Sequence, residues 1–247
     1  MATVEWLRSG RGAIVVAALV SAWWLVGLRL DADGDLARQV VLGALTWVIL
    51  GLALAASRPD QRLQVLVMVG VATGFECLGS LVWGLYQYRL ENLPLYVPPG
   101  HGLFYLVALR IADLPAVTSR RRLLVPGVLL GGAVLALAGL IRGGPPDLLG
   151  ALTWLILARF LLRGRAPVFY AVSFVLTMLL EAYGTALGTW AWQPVVPLLG
   201  IAAGNPPACI GAGYCVMDGL ARRLTARLRR ATGRPLPEAA PQRIPVS

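Results

Sequence analysis

The sequence predicts an all-α, polytopic membrane protein of eight transmembrane helices, built as two parallel four-helix repeats. Three observations carry that prediction. Of the 247 residues, 57% are hydrophobic and only 14% charged, against about 25% charged in soluble domains. The apolar residues fall in stretches long enough to span a bilayer, which takes about 17–25 residues per helix. Residues 42–50 read LGALTWVIL and residues 149–157 read LGALTWLIL, eight matches in nine positions at a spacing of 107. A period of that kind marks an internal repeat.

Taken in order, the first helix lies near 12–29, after Arg8 and Arg11, and ends in a connection with Arg29, Arg38 and three acids, Asp31, Asp33 and Asp35. The second, near 40–56, carries the first LGALTW copy and stops at Arg58 and Arg62. The third, near 64–87, holds Glu76 at its middle and runs out at Arg89. A Pro-Pro-Gly-His-Gly turn re-enters the membrane, so the fourth helix spans about 101–117, before Arg120, Arg121 and Arg122. The fifth, 123–141, ends at Arg142; the sixth, 147–162, carries the second LGALTW copy and precedes Arg163 and Arg165. The seventh, 167–191, holds Glu181, and the eighth, 206–221, leads into a tail that starts Arg222, Arg223, Arg227, Arg229 and Arg230.

Arginines thus crowd every second connection, and the positive-inside rule puts those connections and both termini in the cytoplasm of a cell with an inner membrane. The expected organisation is one transmembrane domain over 1–231, with repeat one at about 12–117 and repeat two at about 123–221. Residues 232–247, rich in Pro, Arg and Ala, read as a disordered cytoplasmic tail. Four helices is an even number, so the two copies share an orientation and a pseudo-two-fold axis runs along the membrane normal. The first apolar stretch reads as a retained helix, with no cleavable signal.

Composition excludes several functions. The net charge of +10 comes from arginine alone, since the chain has no lysine; a retinal Schiff base is therefore out. Loop arginines explained by topology leave no case for nucleic-acid binding. Cys77, Cys209 and Cys215 fall in apolar stretches without metal spacing, and the single histidine excludes a histidine-rich di-iron site. No phosphate loop, nucleophile triad, zinc motif or nucleotide signature is present, so no cofactor or metal is expected.

Matched polar landmarks carry the chemistry. Glu76 and Glu181 stand 105 residues apart, as do Asp113 and Asp218, while His101 and Asn205 stand 104 apart. An acid deep in an apolar helix is costly facing lipid, so both glutamates are expected to point inward, to a shared, outward-opening chamber. Buried and neutral, such an acid can donate a proton; the bland alternative is a glutamate hydrogen-bonding a neighbouring helix. His101 can move protons where Asn205 can only hydrogen-bond. Tyr86 and Tyr88 match Trp190 and Trp192 as substrate-binding candidates, or as members of an interfacial aromatic belt. Trp83, on the Glu76 face seven residues on, Glu91 and Asn92 in the outer loop, and Asn205 complete the expected substrate-binding set. Asp113 with Arg110, and Asp218 with Arg222, are expected as local ion pairs.

Glu76, Gly79, the run Gly84-Leu85-Tyr86-Gln87-Tyr88 and the run Pro94-Leu95-Tyr96-Val97-Pro98 together resemble a family of polytopic bacterial carotenoid biosynthesis membrane proteins, whose members include hydratases of acyclic carotenoid end groups. The resemblance covers some thirty residues. It implies acid-catalysed chemistry on an isoprenoid double bond, with Glu76 as the acid.

Three functions stay open on the sequence. One is a membrane enzyme acting on a long apolar lipid, isoprenoid or carotenoid-like, with Glu76, Glu181 and His101 catalytic. Another is a transporter or flippase with its site at the repeat interface. The third is a non-catalytic subunit whose polar loops bind a partner membrane protein.

Overall fold

The computed structural model describes residues 10–142 and 144–233; Arg8 and most of the expected tail lie outside them. The chain is mostly helical, and five of its helices are long and apolar enough to cross a membrane. In order these are α1 (Gly10–Ala32), α2 (Leu36–Ala55), α3 (Pro59–Glu76, continued by a π-helical turn, Cys77–Val82), α6 (Arg121–Ile141) and α8 (Pro167–Ala186). Between and after them come α4 (Val97–Ala112), the four-residue α5 (Pro115–Thr118), α7 (Leu148–Arg163) and α9 (Gly213–Ala231). Two three-residue strands, β1 (Tyr86–Tyr88) and β2 (Trp190–Trp192), pair antiparallel, with Tyr86 opposite Trp192 and Tyr88 opposite Trp190.

Local chemistry sets most boundaries. Asp35 and Asp147 accept backbone N–H bonds at the starts of α2 and α7, the usual N-cap role. Pro59, Pro98 and Pro167 occupy first turns, where a missing N–H costs nothing. Several expected limits move. The helix expected from 101 starts at Val97, because Pro98 and Pro99 lie in its first turn instead of ahead of it. The helices expected to end at 87 and 191 stop at Val82 and Ala186, short of Gly84 and Gly188. The last helix starts at Gly213, not 206, and its arginine-rich end is helical to Ala231.

The core follows one helix. Leu103 to Ala108 of α4 are each at most 1% exposed, and the first half of α8 from Val168 to Phe174 is buried against it. Elsewhere large apolar side chains face outward: Leu52 is 68% and Ile141 83% exposed. In water such a surface would cost stability for every side chain. In lipid it costs little, and packing between helices carries the specificity.

Candidate functional site

Gly84 and Gly188 end the two acid-bearing segments with φ of 70° and 71°, a left-handed conformation open to glycine because it has no Cβ. Each chain turns back there and enters β1 or β2. The strand side chains therefore fold over the helix they have just left, and each acid receives two aromatic donors. Tyr86 and Tyr88 donate their hydroxyls to Oε2 of Glu76 at 2.6 and 2.8 Å. Trp190 and Trp192 donate their indole N–H groups to Oε2 of Glu181 at 2.9 and 3.0 Å. A glycine three residues after each acid makes room. A Cβ on Gly79 would stand 3.0 Å from the Tyr86 ring, and one on Gly184 would overlap the ring of Trp190.

The π-helical turn has a cause in the residue count. Gly79 and Gly184 stand 105 apart, but Gly84 and Gly188 only 104. The Glu76 segment thus holds one residue more between its glycines than the Glu181 segment, within or just after Cys77–Val82. A π turn bonds residues five apart and takes up that residue without breaking the helix. Here Trp83 N donates to Leu78 O at 2.7 Å, while α8 stays α-helical through Ala186.

The two carboxyl groups differ at their other oxygen. Oε1 of Glu76 lies 2.8 Å from Nε2 of His101, whose Nδ1 lies 2.5 Å from the hydroxyl of Tyr214. With Nε2–H donating to Glu76 and Nδ1 accepting from Tyr214, every group on this line is satisfied. One added proton makes the imidazole a donor on both sides, and the Tyr214 hydroxyl need only rotate to accept. The line can hold or release a proton with no heavy atom moving. Oε1 of Glu181 makes no hydrogen bond among the described residues. Burial, and after it the Glu76 carboxyl group, holds the phenols of Tyr86 and Tyr88 above the ordinary tyrosine value, so both remain donors.

Glu76, Glu181 and His101 line one cavity of about 280 Å³, with Tyr86, Tyr88, Trp190, Trp192 and Tyr214. Its remaining wall is mainly aromatic and aliphatic, drawn from residues such as Trp24, Leu28, Leu42, Phe75 and Phe104. A few polar groups in an apolar enclosure are the usual make-up of a small-molecule site.

Four expected site residues stand elsewhere. Trp83 is 40% exposed and donates to the Pro197 carbonyl at 2.8 Å. Glu91, at φ 57°, is exposed on the turn that follows β1. Asn92 donates to Gln39 Oε1 at 2.6 Å. Asn205 accepts from the Trp192 backbone N–H at 3.0 Å. It precedes α9 by eight residues, whereas His101 lies within α4, so the two do not occupy equivalent places. The expected Asp113–Arg110 pair is replaced by a bond from Arg110 to Ser57 Oγ at 3.0 Å. Arg222 does meet Asp218, at 2.7 Å, and Asp218 also accepts from Tyr105 at 2.5 Å.

Sequence reasoning missed Tyr214 and the two buried acids that hold the loops beside the cavity. Asp31, 1% exposed, accepts from Gln39 at 3.1 Å and from Tyr96 at 3.0 Å. Asp147 accepts backbone N–H bonds from Gly150, Gly204 and Ala208 at 2.7 to 2.9 Å. Tyr214 had a signal: it precedes Asp218 and Arg222 by one and two turns on the same helix face. No group of three or more His, Cys, Asp or Glu able to hold a metal occurs among the described residues. Comparison with family models, curated proteins and solved structures finds no match to this chain.

Proposed function

We propose that the chain is an integral membrane enzyme that acts by acid catalysis on the apolar end of a long lipid, isoprenoid or carotenoid-like. The observation that carries this reading is the convergence of both helix-borne acids and the lone histidine on one apolar cavity. The resemblance noted at Glu76 and its Gly-x-Tyr-x-Tyr run supports the same substrate class.

In this reading Glu181 is the acid, because its Oε1 is the carboxyl oxygen left open to a bound molecule. Its proton goes to an alkene carbon, and the tertiary cation that forms is stabilised by the π faces of Trp190, Trp192 and Tyr86. Water adds to that cation and gives its own proton to the Glu76–His101–Tyr214 line, which acts as the base. The product is the alkene plus one water. One proton passes from the line back to Glu181 to close the cycle.

The same proposal holds that the chain crosses an inner membrane eight times as two parallel repeats, with both termini cytoplasmic and the cavity opening outward. The shorter α4 and α7 and the segment 206–221, which includes the first half of α9, supply the three crossings beyond the five long helices. The antiparallel pairing of β1 with β2, which sets Tyr86 opposite Trp192 and Trp190 opposite Tyr88, supports the two-fold axis. Meeting of the acids at that junction also favours a second reading, a transporter with its site between the repeats.

Mass spectrometry of lipid extracted with the purified protein, before and after incubation, tests the proposal. A bound isoprenoid that gains the mass of water, and no longer does so after Glu181→Gln, is the expected result. A bound lipid that leaves unchanged would instead point to transport.

A further inference from the structure

A cavity of about 280 Å³ holds about nine groups the size of a water molecule or methylene, at roughly 30 Å³ each. A long isoprenoid cannot fit inside it. Only its end enters, and the rest of the chain must lie outside, beyond the cavity mouth or one of its walls.

One wall offers a way out. Trp23 of α1 lines the cavity and also an apolar groove of about 420 Å³ bounded by Leu19, Val20, Ala22 and Val26 of α1 and Ile49 of α2. Leu19 and Val26 are 66% and 53% exposed, so among the described residues no helix covers the groove and its apolar lining lies on the outer surface. A single hydrogen bond, from Trp23 Nε1 to Thr46 Oγ1 at 3.1 Å, ties the partition to α2. Thr46 keeps its own bond to the Leu42 carbonyl at 2.6 Å and stays satisfied when Trp23 swings away.

The other LGALTW copy closes the corresponding seam. Trp154 of α7 turns inward over Gly132 of α6, where a Cβ would stand 3.1 Å from the indole, and bonds the Leu129 carbonyl at 3.2 Å. Its match 107 residues earlier, Trp47, is 40% exposed. The seam between α1 and α2 therefore lacks the plug that fills the seam between α6 and α7.

We propose that the groove between α1 and α2 binds the hydrocarbon chain of the same lipid whose end occupies the cavity, with Trp23 as the movable partition between them. This rests on the acid-catalysis reading and adds to it a lateral route from the bilayer.

The test uses the full chain in nanodiscs with two all-trans isoprenoid alcohols, of ten and twenty carbons, each carrying a diazirine beside the alcohol. The longer probe is expected to cross-link to Leu19, Val26 or Ile49, and the shorter to residues inside the cavity. Ala22→Trp, which fills the groove from an exposed position, is expected to lower retention of the longer probe about tenfold and leave the shorter one unchanged. Should that variant melt early, Val26→Trp makes the same test. Longer-probe cross-links outside the groove, or retention indifferent to both fillings, would overturn the groove and leave the cavity reading standing. Retention of neither probe would overturn both.

Discussion

The two carboxyl groups in the cavity are built alike on one side and differently on the other. Each lies in the C-terminal part of an apolar helix, has a glycine three residues on, and takes two aromatic donors on Oε2 from a strand that turns back at a left-handed glycine. Beyond that the copies diverge. Glu76 has phenols for donors, a histidine on Oε1, and a π turn behind it; Glu181 has indoles, an open Oε1 and a regular helix. A repeated frame has thus been filled with groups that exchange protons on one side and groups that only donate on the other. In the reaction proposed above, that contrast gives Glu76 the proton-storing role and Glu181 the proton-giving one.

The largest expected effect tests that division. Glu181→Gln keeps a carbonyl oxygen for both indoles, so the fold should hold, but an amide cannot give up a proton. Turnover should fall by about 10²- to 10⁴-fold, the usual worth of a positioned acid. Glu76→Gln leaves His101 able to take a proton from water, and a loss of only about tenfold is expected. Rates measured on the lipid found in the purified protein decide the ranking. The reverse order, with Glu76→Gln the more damaging, would return the acid role to Glu76.

The next effect concerns stability and sharpens the likeness of the two frames. Ala at position 184 would drive a methyl group into Trp190, whereas at position 79 it would only crowd the edge of Tyr86. Overpacking of the first kind costs about 1–3 kcal/mol, and the second less. Thermal midpoints in one detergent should therefore drop clearly for Gly184→Ala and slightly for Gly79→Ala. Equal drops would mean that the strand–helix contact is not tighter around Glu181.

Much of this site was legible in the residues. The pairing of Glu76 with Glu181, and of Tyr86/Tyr88 with Trp190/Trp192, is visible in spacing alone, because the count from each acid to its aromatic pair is nearly the same in both segments. By position the aromatic residues fit a belt at the membrane surface or a set of binding groups; nothing local shows that a glycine at positive φ folds them onto the acids. The one-residue difference between the glycine pairs was there to be counted, and it marks the π turn. Tyr214 reaches His101 across 113 residues, a contact no local period encodes. Glu91, Asn92, Trp83 and Asn205 were polar or aromatic in the right stretch, but the loops carry them outward or into structural bonds. Only five of the eight apolar stretches form helices long and apolar enough to cross a membrane by themselves. The α4 segment was hardest to bound, since its first turn contains the prolines that mark a break elsewhere.

The smallest expected effect separates the two donor pairs by pH. Tyrosine ionises near pH 10 in an unfolded chain, and burial, then the Glu76 carboxyl group, pushes Tyr86 and Tyr88 above that in the folded one. Their contribution to stability is therefore whole below about pH 10. Above it the unfolded chain sheds protons that the folded chain keeps, so stability falls by up to about 1.4 kcal/mol per pH unit for each phenol. Indoles do not ionise, and the Glu181 pair adds nothing to that slope. Tyr96 is pushed the same way, chiefly by burial with Asp31 beside it, and leaves a residual slope in any variant that retains it. Thermal midpoints from pH 8 to 11 should accordingly fall more steeply for the wild-type chain than for the double variant Tyr86→Phe/Tyr88→Phe. Replacing Trp190 and Trp192 with Phe should lower every midpoint by a similar amount and leave the slope as it was. Parallel slopes for the wild-type chain and the tyrosine variant would mean that the phenols are not held to Glu76, and the difference between the two acids would then rest on His101 alone.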